Sequence, residues 1–352
     1  MKSASASITS QDRLNLVSNL ATLLSSGIPI LEAVDSLIGE SKGNLLKILK
    51  SLKEDLNQGK TVSESFAHFP KAFDPITVNL IKAAEEAGTL DTTLKDLTES
   101  IKKDMDFMSK VEGALAYPIL VVIVLIGVIV LNLFFVIPRI ATVFTKLRVQ
   151  IPLPTKILIA TSNFVTNNIL YTLAGIIATV VIIFLIFKVK KQLFLNILFS
   201  LPLISKLIVE IDLTRFTRSM GVLLKSGIPI DEALDLCQNE VTKAQVKKAI
   251  TESLRLVTSG KNLSHGLSKF PKTVPSFAVR IIEAGEKSGS LEKTMAELAE
   301  QFDLRVTNRL KSLTTLIEPL LLLFVGLMVG AIMLAIIAPI YKLIGSIGVR
   351  GQ

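Results

Sequence analysis

One phrase occurs twice in the sequence, and this duplication constrains the fold more than any other feature. "LLSSGIPILEA" covers Leu23–Ala33, and "LLKSGIPIDEA" covers Leu223–Ala233. Between the longer segments 20–37 and 220–237, ten of eighteen positions are identical. An internal repeat at this distance predicts two copies of one folding unit.

The match resumes further along the chain with one inserted residue. "GKTVSESFAHFPK" (59–71) pairs with "GKNLSHGLSKFPK" (260–272), and "AAEEAGTL" (83–90) pairs with "AGEKSGSL" (284–291). The duplication therefore extends over most of each polar half of the chain.

Three long apolar runs without charged residues interrupt the polar sequence, at 113–138, 169–187 and 319–341. A helix needs roughly 20 apolar residues to cross a bilayer core, so each run is long enough to be a span. The repeat continues into the first and third runs, whose boundary residues correspond: Tyr117 and Pro118 with Glu318 and Pro319, and Pro138 with Pro339. The second run has no counterpart and is interpreted as a return crossing.

We therefore predict an all-α membrane protein with two homologous cytoplasmic six-helix bundle domains and three transmembrane helices. The predicted order is a disordered N-terminus (1–10), the first domain (11–111), a span (112–138), an external loop (139–168), a second span (169–187), the second domain (188–315), a third span (316–341) and a short external tail (342–352).

Basic residues near the spans place both large domains on the cytoplasmic side of an inner membrane. They are Lys102, Lys103, Lys110, Lys188, Lys190, Lys191, Arg305, Arg309 and Lys311. The loop 139–168 also carries four basic residues and no acid, which weakens the contrast. The first ten residues have no apolar core, so they do not form a secretory signal peptide.

The phrase "SGIP" predicts a tight corner between two helices in each domain. Gly27 and Gly227 suit a left-handed residue just past a helix end, while Pro29 and Pro229 suit the start of the next helix. Gly88 and Gly289 suit the same role, a left-handed residue just past a helix end, later in each domain. Together with the remaining predicted turns, these corners divide each domain into about six helices.

The two predicted domains differ in net charge. Residues 1–111 carry 13 basic and 15 acidic side chains, whereas residues 188–315 carry 20 basic and 13 acidic ones. The second domain, with a net charge of +7, favours anionic lipid headgroups or an acidic protein partner. Nucleic acid is disfavoured, because no aromatic residues alternate with the basic ones.

No group of residues in the sequence predicts catalysis or a cofactor. "GKT" at 59–61 lacks the upstream glycine of a phosphate-binding loop, since Glu54 stands there. Glu85, Glu86 and Glu286 are the candidates for a divalent cation, although such carboxylates more often cap helices or face solvent. We therefore predict no enzyme activity and no catalytic residue.

Nine residues in or near the spans are candidates for membrane assembly: Tyr117, Pro118, Asn132, Pro138, Glu318, Pro319, Gly326, Gly330 and Pro339. Asn132 could donate a hydrogen bond to another span, and Glu318 at the start of the third run either pairs with a partner or lies in water. Gly326 and Gly330 form a G-x-x-x-G pair that permits close approach of another helix.

The order of domains and spans, with "SGIP" in both halves, "GEKSGSL" at 285–291 and "EP…G…VG…AP" from Glu318 to Pro339, resembles the GspF/PilC family of inner-membrane platform proteins. The first copy departs from the family pattern at Ala84 and Ala87, and the N-terminal extension is short.

The resemblance implies a platform for type IV pilus assembly or type II secretion that itself hydrolyses nothing. Its implied partners are a cytoplasmic hexameric assembly ATPase, pilin or pseudopilin subunits, other inner-membrane assembly proteins, membrane lipids and further copies of the chain. A transporter or channel subunit, or an unrelated membrane-anchored scaffold, is the alternative that the residues leave open.

Reporter fusions test the predicted topology. Fusions after Ser41 and Ser259 are expected to be active in the cytoplasm, and a fusion after Asn167 is expected to be active outside it, because the duplicated unit must enter the membrane from one side. Alkaline phosphatase and green fluorescent protein fusions measure this. External activity at either large domain would contradict the interpretation of the duplication.

Overall fold

The computed structural model describes residues 6–139, 141–142, 156, 159–160, 162, 164, 168 and 202–348. All regular secondary structure within these residues is helical, as the sequence predicts. The predicted second span, most of the loop before it and the last four residues lie outside the described residues.

The first repeat consists of six helices. They are α1 (Ser10–Ser25), α2 (Ile30–Glu40), α3 (Gly43–Asn57), α4 (Val62–Ala67), α5 (Pro75–Ala87) and α6 (Leu90–Leu131). A π-helical segment, Asn132–Val136, follows α6 directly.

Six helices also lie in the described part of the second repeat, in the same order. They are α7 (Pro202–Lys225), α8 (Ile230–Cys237), α9 (Ala244–Thr258), α10 (Leu263–Ser268), α11 (Ser276–Ser288) and α12 (Leu291–Gly348). The ends of α1 and α7 are 200 residues apart, and the ends of α3 and α9 are 201 apart. The extra residue therefore falls between α8 and α9.

Residues 6–10, at the end of the predicted N-terminal segment, lie among the described residues. Helix α1 begins at Ser10, and the Thr9 side chain caps it by accepting a hydrogen bond from the backbone N–H of Asp12. The Asn44 side chain donates to the carbonyl of Ser7 at 2.9 Å, and Ile8 packs against the core. A capping box and one apolar anchor order this segment.

The two "SGIP" corners have the same backbone geometry. Gly27 and Gly227 have φ angles of +82° and +79°, in the left-handed region that side chains with a Cβ rarely adopt. The backbone N–H of Ile28 donates to the carbonyl of Leu23 at 3.1 Å, which closes the end of α1. Pro29 lies one residue before α2 rather than inside it, at the N-cap.

A second left-handed glycine ends the fifth helix of each repeat. Gly88 and Gly289 have φ angles of +69° and +66°. The next residue donates back into the helix, from Thr89 to the carbonyl of Ala84 at 2.9 Å in the first repeat. This pattern satisfies carbonyls that the helix end would otherwise leave without a partner.

Buried apolar side chains of both repeats form one core cluster. In the first, the buried rings of Phe66 and Phe73 stack with their centroids 3.9 Å apart. In the second, the buried ring of Phe302 lies 5.7 Å from that of Phe277.

Two helices continue from the polar repeats into the apolar runs. The helix that begins at Leu90 continues to Arg139 and is long and apolar enough to cross a membrane, as is the part of α12 from Leu291 to Gly330. Among the described residues these are the two candidate spans. Pro118 lies inside α6, and Pro319 lies inside α12, so neither proline starts its helix.

Contacts divide the described chain into two compact units. One unit contains the residues up to 111 together with 202–308, so the two polar repeats pack against each other. The other contains the described residues of 112–201 together with those of 309–352.

A valine at the first corner tests the left-handed geometry. Gly27→Val is expected to lower the free energy of unfolding by about 1–2 kcal/mol, because an L side chain opposes positive φ. Gly39→Ala is the matched control, since Gly39 is helical and a Cβ there meets no atom within 4 Å. Thermal unfolding of the full-length protein in detergent, followed by circular dichroism, measures both. Equal melting temperatures would contradict the assigned geometry.

Candidate functional site: the junction between the two repeats

The two repeats meet where α5 packs against α7 and α8. Helix α5 presents Ile76 and Leu80 to this junction, and both side chains are buried. Ser219 and Val222 of α7 line the same space from the second repeat. The junction is therefore part of one packed unit.

Arg218 of α7 is the central charged group of the junction. Its guanidinium lies 3.3 Å from the carboxylate of Asp104 in α6 and 3.7 Å from that of Asp303 in α12. Its side chain is only 11% exposed, and it lies 5.4 Å from the centre of the Phe107 ring. Burial lowers the pKa of Arg218, while Asp104 and Asp303 oppose that shift. A charge this buried needs both carboxylates.

Further ion pairs join the two repeats nearer to solvent. The ammonium of Lys225 lies 2.7 Å from Asp96, and that of Lys110 lies 3.3 Å from Asp303. Both lysine side chains are more than half exposed, and solvent-exposed ion pairs each contribute about 0–1 kcal/mol.

A groove of about 410 Å³ lies between α6, α7 and α12. Small side chains form part of its lining, and at Gly221 a Cβ would lie 3.3 Å from the backbone nitrogen of Ala296. The absence of a side chain at Gly221 therefore lets α7 and α12 approach closely. Charged residues of both signs, among them Asp106 and Lys293, also line the groove.

A second cavity, of about 260 Å³, is lined by Arg218 and by other charged side chains of both signs. Arg13 donates to Asp74 at 3.2 Å, and Arg215 donates to the sulfur of Met108 at 3.2 Å. Burial raises the pKa of the Glu240 carboxyl, and the negative charge of Asp74 raises it further.

The candidate metal ligands Glu85 and Glu286 occupy equivalent positions and make equivalent contacts. The carboxylate of Glu85 accepts hydrogen bonds from the backbone N–H groups of Val62 and Ser63, at 2.5 and 3.0 Å. That of Glu286 accepts from Leu263 and Ser264 at 2.5 and 3.1 Å. Each carboxylate therefore caps the short fourth helix of its repeat.

The third candidate, Glu86, is exposed and lies 4.0 Å from Lys82. Among the described residues, no group of three or more histidine, cysteine, aspartate or glutamate side chains is placed to hold a metal ion.

The candidate assembly residues of the apolar helices make few contacts with other helices. The Asn132 side chain donates to the carbonyl of Val128, one turn back in its own helix, rather than to another span. Glu318 is exposed, as is Tyr117. A Cβ at Gly326 or Gly330 would meet no atom within 4 Å, so these glycines bring no other part of the described chain close.

A further contact lies at the π-helical segment, where the Ser162 hydroxyl donates to the carbonyl of Leu133 at 2.5 Å. Sequence reasoning missed both this contact and the ion pairs of the junction.

These features define a class of protein: a duplicated, all-helical chain whose two polar repeats pack together and lead into apolar helices. The model of the family described as "Type II secretion system (T2SS), protein F" matches residues 16–138 and 216–339. Because these matches cover more than half of the chain, the protein belongs to this family, the GspF/PilC family.

Characterised relatives cover nearly the whole chain. It is 29% identical to the type IV pilus assembly protein PilC of Myxococcus xanthus over 343 residues, which are 97% of this chain and 82% of the relative. It is 28% identical to PilC of Thermus thermophilus, over 94% of this chain and 82% of the relative. It is 26% identical to the type II secretion system protein F of Pseudomonas aeruginosa, over 97% and 85%.

Removing the charge of either capping carboxylate tests its structural role. Glu85→Gln and Glu286→Gln are each expected to destabilise the protein by about 1–3 kcal/mol, because hydrogen bonds to a charged acceptor are lost. Glu86→Gln is the matched control and is expected to leave the melting temperature unchanged. Thermal unfolding of the full-length protein measures all three, and a control as destabilised as the other two would contradict the capping role.

Proposed function

We propose that the protein is a non-catalytic inner-membrane platform of a type IV pilus or type II secretion machine. In this proposal it couples a cytoplasmic hexameric assembly ATPase to the insertion of pilin or pseudopilin subunits into a growing filament. It is a multi-pass protein with both repeats in the cytoplasm, and it works with other inner-membrane assembly proteins, membrane lipids and further copies of itself.

One observation carries the proposal: in each repeat, the last helix continues from the packed polar domain into an apolar segment. The helix from Leu90 to Arg139 does so in the first repeat, and α12 does so in the second. A continuous helix transmits a displacement better than a flexible linker does. Forces applied to the cytoplasmic repeats would therefore reach the membrane through these two helices.

The apolar segments present side chains that suit lipid or another membrane helix. Ile123 is 63% exposed and Leu327 is 65% exposed, on α6 and α12 respectively. Such surfaces are unfavourable in water and are typical of membrane-facing helices. The family assignment supports an inner-membrane location for them.

The second repeat offers the more basic surface for an acidic ATPase. Lys247 and Lys248 are exposed on α9, whereas α3 of the first repeat carries Lys47 and Lys50 within a domain of net charge −2. Charge contacts of this kind weaken with salt, because screening acts beyond about 8 Å at physiological ionic strength.

Binding of the cognate ATPase to the full-length protein in detergent tests this assignment across a salt series. Lys247→Glu with Lys248→Glu is expected to reduce ATPase retention at low salt by roughly tenfold, because it replaces attraction with repulsion. Lys47→Glu with Lys50→Glu is the matched control in the first repeat. Retention that depends only on the control lysines would overturn the choice of repeat, and salt-independent retention would exclude a charge-driven contact.

A further inference from the structure

The first repeat holds the second with one face of α5 and α6, and the second repeat carries the homologous face. In the first repeat, Ile76 and Leu80 are 8% and 1% exposed, and Asp104 pairs with Arg218. The equivalent residues, 201 positions later, are Phe277, Ile281 and Arg305. We refer to Phe277, Ile281, Leu304 and Arg305 as the α11–α12 face.

The α11–α12 face keeps the apolar character of its homologue but not its burial. Phe277 and Ile281 are half-buried where Ile76 and Leu80 are buried. Leu304 is 63% exposed and replaces the Lys103 of the first repeat. One exposed and two half-buried apolar side chains therefore lie on elements that are homologous to a docking surface, and such a surface indicates an interaction site.

The charge at the centre of this face is reversed. Arg305 stands where the first repeat has Asp104, and Arg280 stands where it has Asn79. The guanidinium of Arg305 lies 4.1 Å from the centre of the Phe277 ring and forms no ion pair with an acid in the described part of the chain. The acid two turns earlier is kept, since Glu297 replaces Asp96.

The homologous contact specifies the shape of the occupant. In the first repeat the occupant is helix α7, which presents Arg218 to Asp104 and, two turns later, Lys225 to Asp96. The corresponding occupant of the α11–α12 face would also be a helix. It would carry an acidic residue at the position of Arg218, to face Arg305, and a basic residue at the position of Lys225, to face Glu297. This pattern describes an amphipathic helix with an acidic residue followed two turns later by a basic one.

Neither α7 nor α1 of a second copy of this chain offers that pattern. Its α7 would bring Arg218 against Arg305, and like charges in contact are unfavourable. Its α1, the homologue of α7, carries Ser18 and Ser25 at the positions of Arg218 and Lys225, so it has no charge to pair.

We propose that the α11–α12 face binds an amphipathic helix of a different protein, with an acid facing Arg305 and a base facing Glu297. This inference goes beyond the proposed ATPase contact, which was assigned to the lysines of α9. It holds for any partner that carries such a helix.

A pair of synthetic peptides tests the proposal on the full-length protein in detergent. The first has the sequence of residues 207–226 with Arg215→Glu and Arg218→Glu, and it keeps Lys225. The second has the unchanged sequence. Fluorescence anisotropy is expected to show the acidic peptide binding about tenfold more tightly than the unchanged one, and Arg305→Glu is expected to reverse that preference.

A control variant separates this face from general attraction to a basic protein. Lys272→Glu removes an exposed positive charge elsewhere in the second repeat and is expected to leave the peptide preference unchanged. An equal effect of Lys272→Glu and Arg305→Glu, or equal binding of the two peptides, would overturn the proposal. Light scattering on the same variants tests whether a second copy of the chain occupies the face. A change in oligomeric state caused by Arg305→Glu would assign the face to a second copy and would also overturn the proposal.

Discussion

The packing of the two repeats depends on the ion pairs of Arg218. This guanidinium is largely withdrawn from water, and carboxylates from α6 of one repeat and α12 of the other surround it. Removing either partner would leave a buried charge without full compensation, which costs more than a surface pair contributes. The apolar contacts of Ile76 and Leu80 provide the area of the junction, and Arg218 determines which two faces meet.

Duplication gave the chain two homologous faces, and the charges at their centres differ. The face of the first repeat carries Asp104 and holds the second repeat, while the corresponding face of the second repeat carries Arg305 and the exposed Leu304. Electrostatic complementarity selects partners more than it adds affinity. A reversal of charge at the centre of a copied surface therefore favours a different partner, which is the basis of the proposed helix-binding face.

The two repeats have the same residues at positions where the backbone needs a left-handed glycine or where a helix end needs a carboxylate cap. Gly27 and Gly227 adopt the same left-handed geometry, and so do Gly88 and Gly289. Glu85 and Glu286 cap the same short helix in both copies, with matching distances. These residues keep the two domains alike, whereas the surface charges, at net −2 and +7 in the predicted domains, differ.

The sequence alone determined the helical class, the duplication, the corners and the apolar runs, because glycine, proline and apolar periodicity act locally on the backbone. It also led to the family, which the comparison confirmed. Only the tertiary structure showed that Arg218 meets Asp104 and Asp303, that Glu85 caps α4 from α5, and that Asn132 bonds within its own helix. Those contacts join residues that are distant in the chain or choose among several acceptors, and no local pattern specifies which partner a polar side chain finds.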